Sequence, residues 1–183
     1  NVWRVCPGPR IAERLMDRLA SAAYAGTMPR EMPESQHFSP IPFDAHRIRA
    51  AAVYCSDGRF GEQIDDLLHK TLQLPRYDRL AIPGGAACLA GHFNAYREEE
   101  GVAEQLRFLL TVHEVRRVIL VAHQDCAYYT QWLRISPLQL ESRQREDLVR
   151  AIRRVKRFGI DLDVQAYFAR RQGDRVSFER VDV

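Results

Sequence analysis

No stretch of the 183-residue chain approaches the roughly 20 consecutive apolar residues that a membrane-spanning helix needs. The first thirty residues also lack a basic start followed by an apolar run and a small-residue cleavage site. A cytoplasmic protein with no membrane partner is therefore the expectation. The chain opens on Asn1 rather than Met, so residue 1 need not be the native start. Lysine is almost missing, with Lys70 and Lys156 alone, so 25 of the 27 basic residues are arginine. That skew follows genome composition as readily as function. Net charge is only +3, too small by itself to imply a polyanionic partner. Repeats and low-complexity segments are missing too. The four cysteines, Cys6, Cys55, Cys88 and Cys126, lie far apart. A chain of this size can hold itself together by burial, so it needs no disulfide framework, and a metal or catalytic role becomes the better question for them.

What is present is ordinary globular composition, 46% hydrophobic with 28% charged residues, enough for one domain over residues 1–183. Ile11, Leu15, Leu19 and Ala22 have helical spacing and predict an opening helix over Arg10–Tyr24. Pro29, Pro33, Pro40 and Pro42 then interrupt regular structure, so residues 1–49 read as a helix followed by an extended arm. From residue 50 to 183 short apolar strands alternate with helical stretches. Strands are predicted at Ala50–Cys55, Arg79–Ile82 and Val118–Ala122, with helices marked by Ile64, Leu67 and Leu68 and by Val102, Leu106, Leu109 and Leu110. Ser136-Pro137 with Gln139 predicts a capped helix start, the helix running to about Phe158 and closed by Gly159. Leu162–Phe168 and Arg175–Arg180 flank Gln172-Gly173-Asp174 as a terminal hairpin. The pattern is that of a three-layer α/β/α domain around a mostly parallel sheet.

Two segments follow predicted parallel strands directly, where open α/β sheets place their ligands. They are Cys55-Ser56-Asp57-Gly58-Arg59 and His123-Gln124-Asp125-Cys126. Zinc prefers thiolate and imidazole, and a catalytic site keeps three protein ligands so that water can take the fourth position. Cys55, His123 and Cys126 supply that set. A carboxylate beside such an ion either accepts a hydrogen bond from its water or displaces it, and a paired guanidinium fixes which way it points. Asp57 and Arg59, two apart, supply that pair.

The order C-x-D-x-R, a glycine-containing stretch after a second strand, then H-x-x-C after an apolar third strand resembles the beta-class carbonic anhydrase family. The residues are Cys55, Asp57 and Arg59, then Ile82-Pro83-Gly84-Gly85-Ala86, then Val118 to Cys126. The resemblance spans roughly residues 50 to 181. It implies a zinc lyase that hydrates carbon dioxide reversibly to bicarbonate and a proton, with Zn2+ on Cys55, His123 and Cys126. By the same resemblance Asp57 and Arg59 orient the water at the metal, and the protein is a homodimer or an assembly of dimers. The pattern departs from the family's at Ile82-Pro83, where Arg-Asn is common, and at Ala122 and Ala127, where glycine is usual. These changes spare the metal set but alter a substrate pocket wall assigned to Gly84, Gly85, Ala127 and Tyr128. The alternative substrates on this scaffold are therefore carbonyl sulfide and carbon disulfide. A non-catalytic zinc-stabilised binding protein is the reading from another class.

Plainer roles stand beside each residue. Cys and His are ordinary core residues, and Asp57 with Arg59 can be a simple surface ion pair. Cys88 and His92, four apart, form a rival metal pair if they share a helix face, although no third ligand is evident. His37, His46, His69 and His113 read as solvated or core-edge, and Cys6 as a bystander. Tyr128 and Tyr129 either gate the pocket or pack. The arginine-rich stretch from Arg143 to Arg157 invites a nucleic-acid reading, but Glu141, Glu146 and Asp147 interleave with it, which favours a solvated helix face and no nucleic-acid partner.

Overall fold

A computed structural model of the chain describes residues 36–159 and 161–183. The chain divides into two compact units, Asn1–Asp44 and Ala45–Val183. In the first, residues 36–44 are exposed and form neither helix nor strand, in keeping with their prolines. The predicted opening helix and the arm up to residue 35 lie outside the described residues.

The second unit carries five strands, β1 (Ala50–Cys55), β2 (Asp78–Ile82), β3 (Arg117–His123), β4 (Asp163–Gln172) and β5 (Arg175–Val181). They form one sheet in the order β2-β1-β3-β4-β5, parallel except for the final β4–β5 hairpin. Three helices accompany them: α1 (Gly61–Asp66), which runs into a π-turn at Leu67–Thr71, α2 (Tyr96–Val112) and α3 (Leu140–Lys156). Every residue of β1 is buried, as expected for a strand covered on both faces.

The two faces separate by strand alternation. Val53 of β1, Leu120 of β3 and Phe168 of β4 point to one side, where Leu106 of α2 and Leu148, Ile152 and Val155 of α3 cover them. Ala52, Tyr54, Ile119, Val121 and Tyr167 point to the other, against Phe60, Ile64, Leu67 and Leu68. Each Leu or Ile so buried contributes about 1.5–3 kcal/mol relative to exposure, so both helical layers are held by the sheet rather than by their own propensity.

Two details of the third helix differ from expectation. Ser136 makes no side-chain cap; Pro137–Gln139 form a separate 3-10 turn, and α3 starts at Leu140. Ser136 uses its carbonyl instead, accepting from the Gln139 N–H at 2.9 Å, which closes the tighter turn. At the other end α3 stops at Lys156, and the left-handed residue beyond it is Asp161 (φ 60°) rather than Gly159. The terminal hairpin forms as predicted, with Gln172 opposite Arg175 and Gly173 at φ 65° in the two-residue loop.

Candidate metal centre

β1 ends at Cys55 and β3 at His123, and because these strands are parallel neighbours both residues emerge at the same sheet edge. Past His123 the chain must reverse to bring a second thiol back, and Asp125 does this at φ 55°, a left-handed conformation that aspartate tolerates better than most residues. Cys126 Sγ then lies 3.8 Å from Cys55 Sγ. Ligand atoms of Cys55, His123 and Cys126 all fall within 4.8 Å of one another, the one such group of three among the described residues.

The geometry fits a tetrahedral cation. A disulfide needs sulfurs about 2.05 Å apart, and Cys55, Cys88 and Cys126 are all free. Two thiolates each about 2.3 Å from zinc at the tetrahedral angle stand about 3.8 Å apart, which matches the observed separation. His123 Nδ1 pairs with the Gln124 carbonyl oxygen at 2.8 Å, so this nitrogen carries the proton. The other nitrogen, Nε2, is buried without a hydrogen-bond partner, which leaves its lone pair for a metal. The ring is steadied by Phe60, centroids 4.4 Å apart.

Cys55 Sγ and Cys126 Sγ are within hydrogen-bonding distance of each other, with one proton between them able to sit on either sulfur. The hydrogen bond from Cys126 holds the Cys55 thiol down to about 4 against burial, with smaller help from His123 and from the backbone at Asp57 and Gly84. The same bond, together with burial, pushes Cys126 far above the ordinary thiol range. A divalent cation would take the place of that proton, since thiol ligands bind metals deprotonated.

Asp57 stands beside this group without joining it. Its Oδ1 accepts from the Arg59 N–H at 3.1 Å, an Asx turn, and Arg59 returns as a two-pronged guanidinium contact at 2.9 Å to Oδ1 and 2.5 Å to Oδ2. That contact holds the Asp57 carboxyl down to about 2. The pocket-wall residues divide. Gly84 (φ 84°) faces the Tyr128 ring, which an added Cβ would meet at 2.6 Å, and Gly85 (φ 53°) lies against the Cys55 backbone. Ala127 is exposed. Tyr129, by contrast, is 1% exposed and packs with Cys55, Cys126 and Leu140.

A sequence profile of a family described as "Putative carbonic anhydrase" matches residues 45–181. The chain belongs to this carbonic anhydrase family. No curated protein sequence matches it. Among solved structures, carbonic anhydrase from Glaciozyma antarctica is 14% identical over 93% of this chain and 94% of that one, with a TM-score of 0.48. Carbonic anhydrase from Streptococcus mutans is 16% identical over 97% and 100%, TM-score 0.48. Beta-carbonic anhydrase isoform I from Trichomonas vaginalis is 13% identical over 92% and 95%, TM-score 0.46. At these identities and scores, the chemistry has to rest on the family match and on the site itself.

For this carbonic anhydrase family member the rival pair dissolves. Cys88 sits in a 3-10 turn and donates to the Pro83 carbonyl at 3.2 Å, while His92 lies past Gly91, whose φ of 86° ends any shared helix face. His92 instead bridges two buried carboxylates, Glu99 at 2.6 Å and Asp147 at 2.8 Å. Sequence reasoning missed this cluster and also Gln144, whose Nε2 donates at 2.7 Å to the His123 carbonyl and so ties α3 to the end of β3. A signal existed. Gln144 and Asp147 stand in the apolar stripe of α3 between Leu140, Leu148 and Ala151, and a polar residue on a core face has to be hydrogen-bonded there.

Proposed function

We propose that the protein hydrates carbon dioxide reversibly, giving bicarbonate and a proton, with Cys55, His123 and Cys126 holding Zn2+. The observation that carries this reading is the unpartnered His123 Nε2 beside two thiols spaced for a tetrahedral ion, in a chain of the carbonic anhydrase family. Zinc, when bound, supplies a Lewis acid that brings the pKa of a water to about 7. Two thiolates and one imidazole would hold the ion with three protein donors, where a closed structural site would supply four.

The remaining work falls to Asp57 and Arg59. Arg59 keeps Asp57 ionised and fixes its direction, so the carboxylate acts as an acceptor for a water hydrogen and leaves the water's lone pair free for the carbon. Arg59 contacts both Asp57 oxygens, and Asp57 stands outside the group of three donors that would hold the ion. Gly84 lets the Tyr128 ring, and Gly85 the Cys55 backbone, pack closely beside the donors, and the Tyr128 ring adds an apolar surface there. No helix among the described residues is long and apolar enough to cross a membrane. A homodimer or assembly of dimers completes the reading, supported by the family resemblance alone.

The deciding experiment pairs metal analysis with stopped-flow proton release. Asp57→Asn should retain about one zinc per chain and lower kcat/KM for carbon dioxide at least about tenfold. Full activity in that variant would remove Asp57 from the reaction. Running carbon disulfide alongside, with sulfide release as readout, tests the substrate: faster turnover of the sulfur compound would replace carbon dioxide in this reading.

A further inference from the structure

A groove of about 840 Å³ lies between the Ala90–Phe93 turn with the start of α2 on one side and the last turns of α3 on the other. Its size falls in the range of about 300–1,000 Å³ usual for small-ligand sites. None of Cys55, Asp57, Arg59, His123 or Cys126 lines it.

Its chemistry is that of an anion site. Arg107 of α2 and Arg150, Arg153, Arg154 and Arg157 of α3 or its C-cap converge on it, with Glu100 the single carboxylate in the lining. Arg154 is committed to Glu99 and Glu100, Arg150 reaches Asp147 at 3.5 Å, and Arg107 pairs with Glu104. Arg153 and Arg157 have no carboxylate partner among the described residues. They stand four apart, as do Arg150 and Arg154, so like charges face each other along one helix face, an arrangement that costs stability until an anion screens it.

A basic last turn does suit the helix dipole, and a solvated face is the plain reading of α3 taken alone. Two observations go beyond it. Arg107 arrives from a different helix, its guanidinium set over the Phe158 ring at 4.2 Å, so the positive charge converges across a groove instead of spreading over one helix. The opposite wall presents Phe93, 95% exposed, and Tyr96, 63% exposed, where large rings would ordinarily be covered. Guanidinium forks suit phosphate oxygens, and exposed rings suit a stacked base.

We propose that this groove binds a nucleoside polyphosphate, its phosphates on Arg153, Arg157 and Arg107 and its base against Phe93 and Tyr96. The proposal stands apart from the carbon dioxide chemistry, and loss of that reading would leave it intact.

Isothermal titration of the full chain tests it, with ADP, pyrophosphate and adenosine as separate probes at about 0.15 M salt. ADP should bind, with pyrophosphate about tenfold weaker for want of stacking and adenosine weaker still. The Arg153→Ser/Arg157→Ser double variant should weaken ADP at least about tenfold with no loss of Tm and unchanged zinc content. Phe93→Ser should weaken ADP and leave pyrophosphate untouched. No heat from either phosphate compound overturns the proposal, as does full ADP affinity in the arginine double variant. Equal affinity for pyrophosphate and ADP overturns the base half and leaves a simple anion site. An ADP-silent protein that binds single-stranded RNA more tightly with length would make the groove a nucleic-acid surface. An ADP-silent dimer that dissociates on Phe93→Ser would make it a subunit interface. Either result overturns the proposal.

Discussion

Gly85 is pressed against Cys55: a Cβ added at Gly85 would stand 2.4 Å from the Cys55 backbone nitrogen and 2.5 Å from the Tyr54 carbonyl carbon. The loop after β2 thus forms the floor on which the first thiol sits, and the contact is between two backbones, neither of which can swing aside. Gly85 also holds φ 53°, which costs other residues about 1–3 kcal/mol. Gly85→Ala should therefore lower Tm and zinc content together. A variant with native Tm and full zinc would show that the loop yields without disturbing Cys55.

Of the three donors in the Cys55, His123 and Cys126 group, Cys126 depends most on tertiary structure, since Asp125 must turn left-handed to deliver it. Cys126→Ser removes a thiolate from a three-ligand set and should lose most of the bound zinc after dialysis against a weak chelator. Metal retained near the wild-type level would take Cys126 out of the set.

His92 makes stability depend on pH. Burial pulls its pKa down, but Asp147 and Glu99 more than offset this and raise it from 6.5 to about 9. Below about 6.5 the ring is protonated folded or unfolded, and the ion pairs contribute fully. Between the two values the unfolded chain loses its proton first, so stability falls as pH rises through about 9. Urea midpoints taken at about pH 6 and about pH 10 should show the wild type losing about 3 kcal/mol more than His92→Gln across that interval. Parallel curves for the two proteins would place the folded pKa of His92 near its ordinary value.

Cys88 should be inert. Its side chain is buried and bonded to the Pro83 carbonyl, and burial pushes the thiol up to about 11, so almost none is thiolate near neutrality. Iodoacetamide followed by peptide mass spectrometry should leave Cys88 unlabelled in the folded protein and labelled in urea. Labelling of the native protein would mean that the turn at Gly85–Leu89 opens readily.

Much of this protein could be read along the chain because strands buried on both faces, such as Val118 to Ala122, spell continuous apolar runs, and a turn such as Gly173-Asp174 needs specific residues. The gathering of the Cys55, His123 and Cys126 donors was legible for a similar reason: Cys55 and His123 close two predicted parallel strands, and parallel strands end together. Asp57 and Arg59 are neighbours in sequence, so their pairing is local and needs no fold to explain it. The helix ends were not read correctly, because Ser136 satisfies its turn through its carbonyl rather than its hydroxyl, a choice between two local bonds that composition does not settle.

What sequence determined, then, is the alternation of elements and the donor types placed at their ends, since both follow from short-range periodicity. Tertiary structure alone decided three things. It set Cys126 Sγ 3.8 Å from Cys55 Sγ; it buried His92 between carboxylates from two helices; and it brought Arg107 across to the arginines of α3. Each case joins groups from different elements, and only the packing of helices on a shared sheet, driven by burial of their apolar faces, fixes such distances.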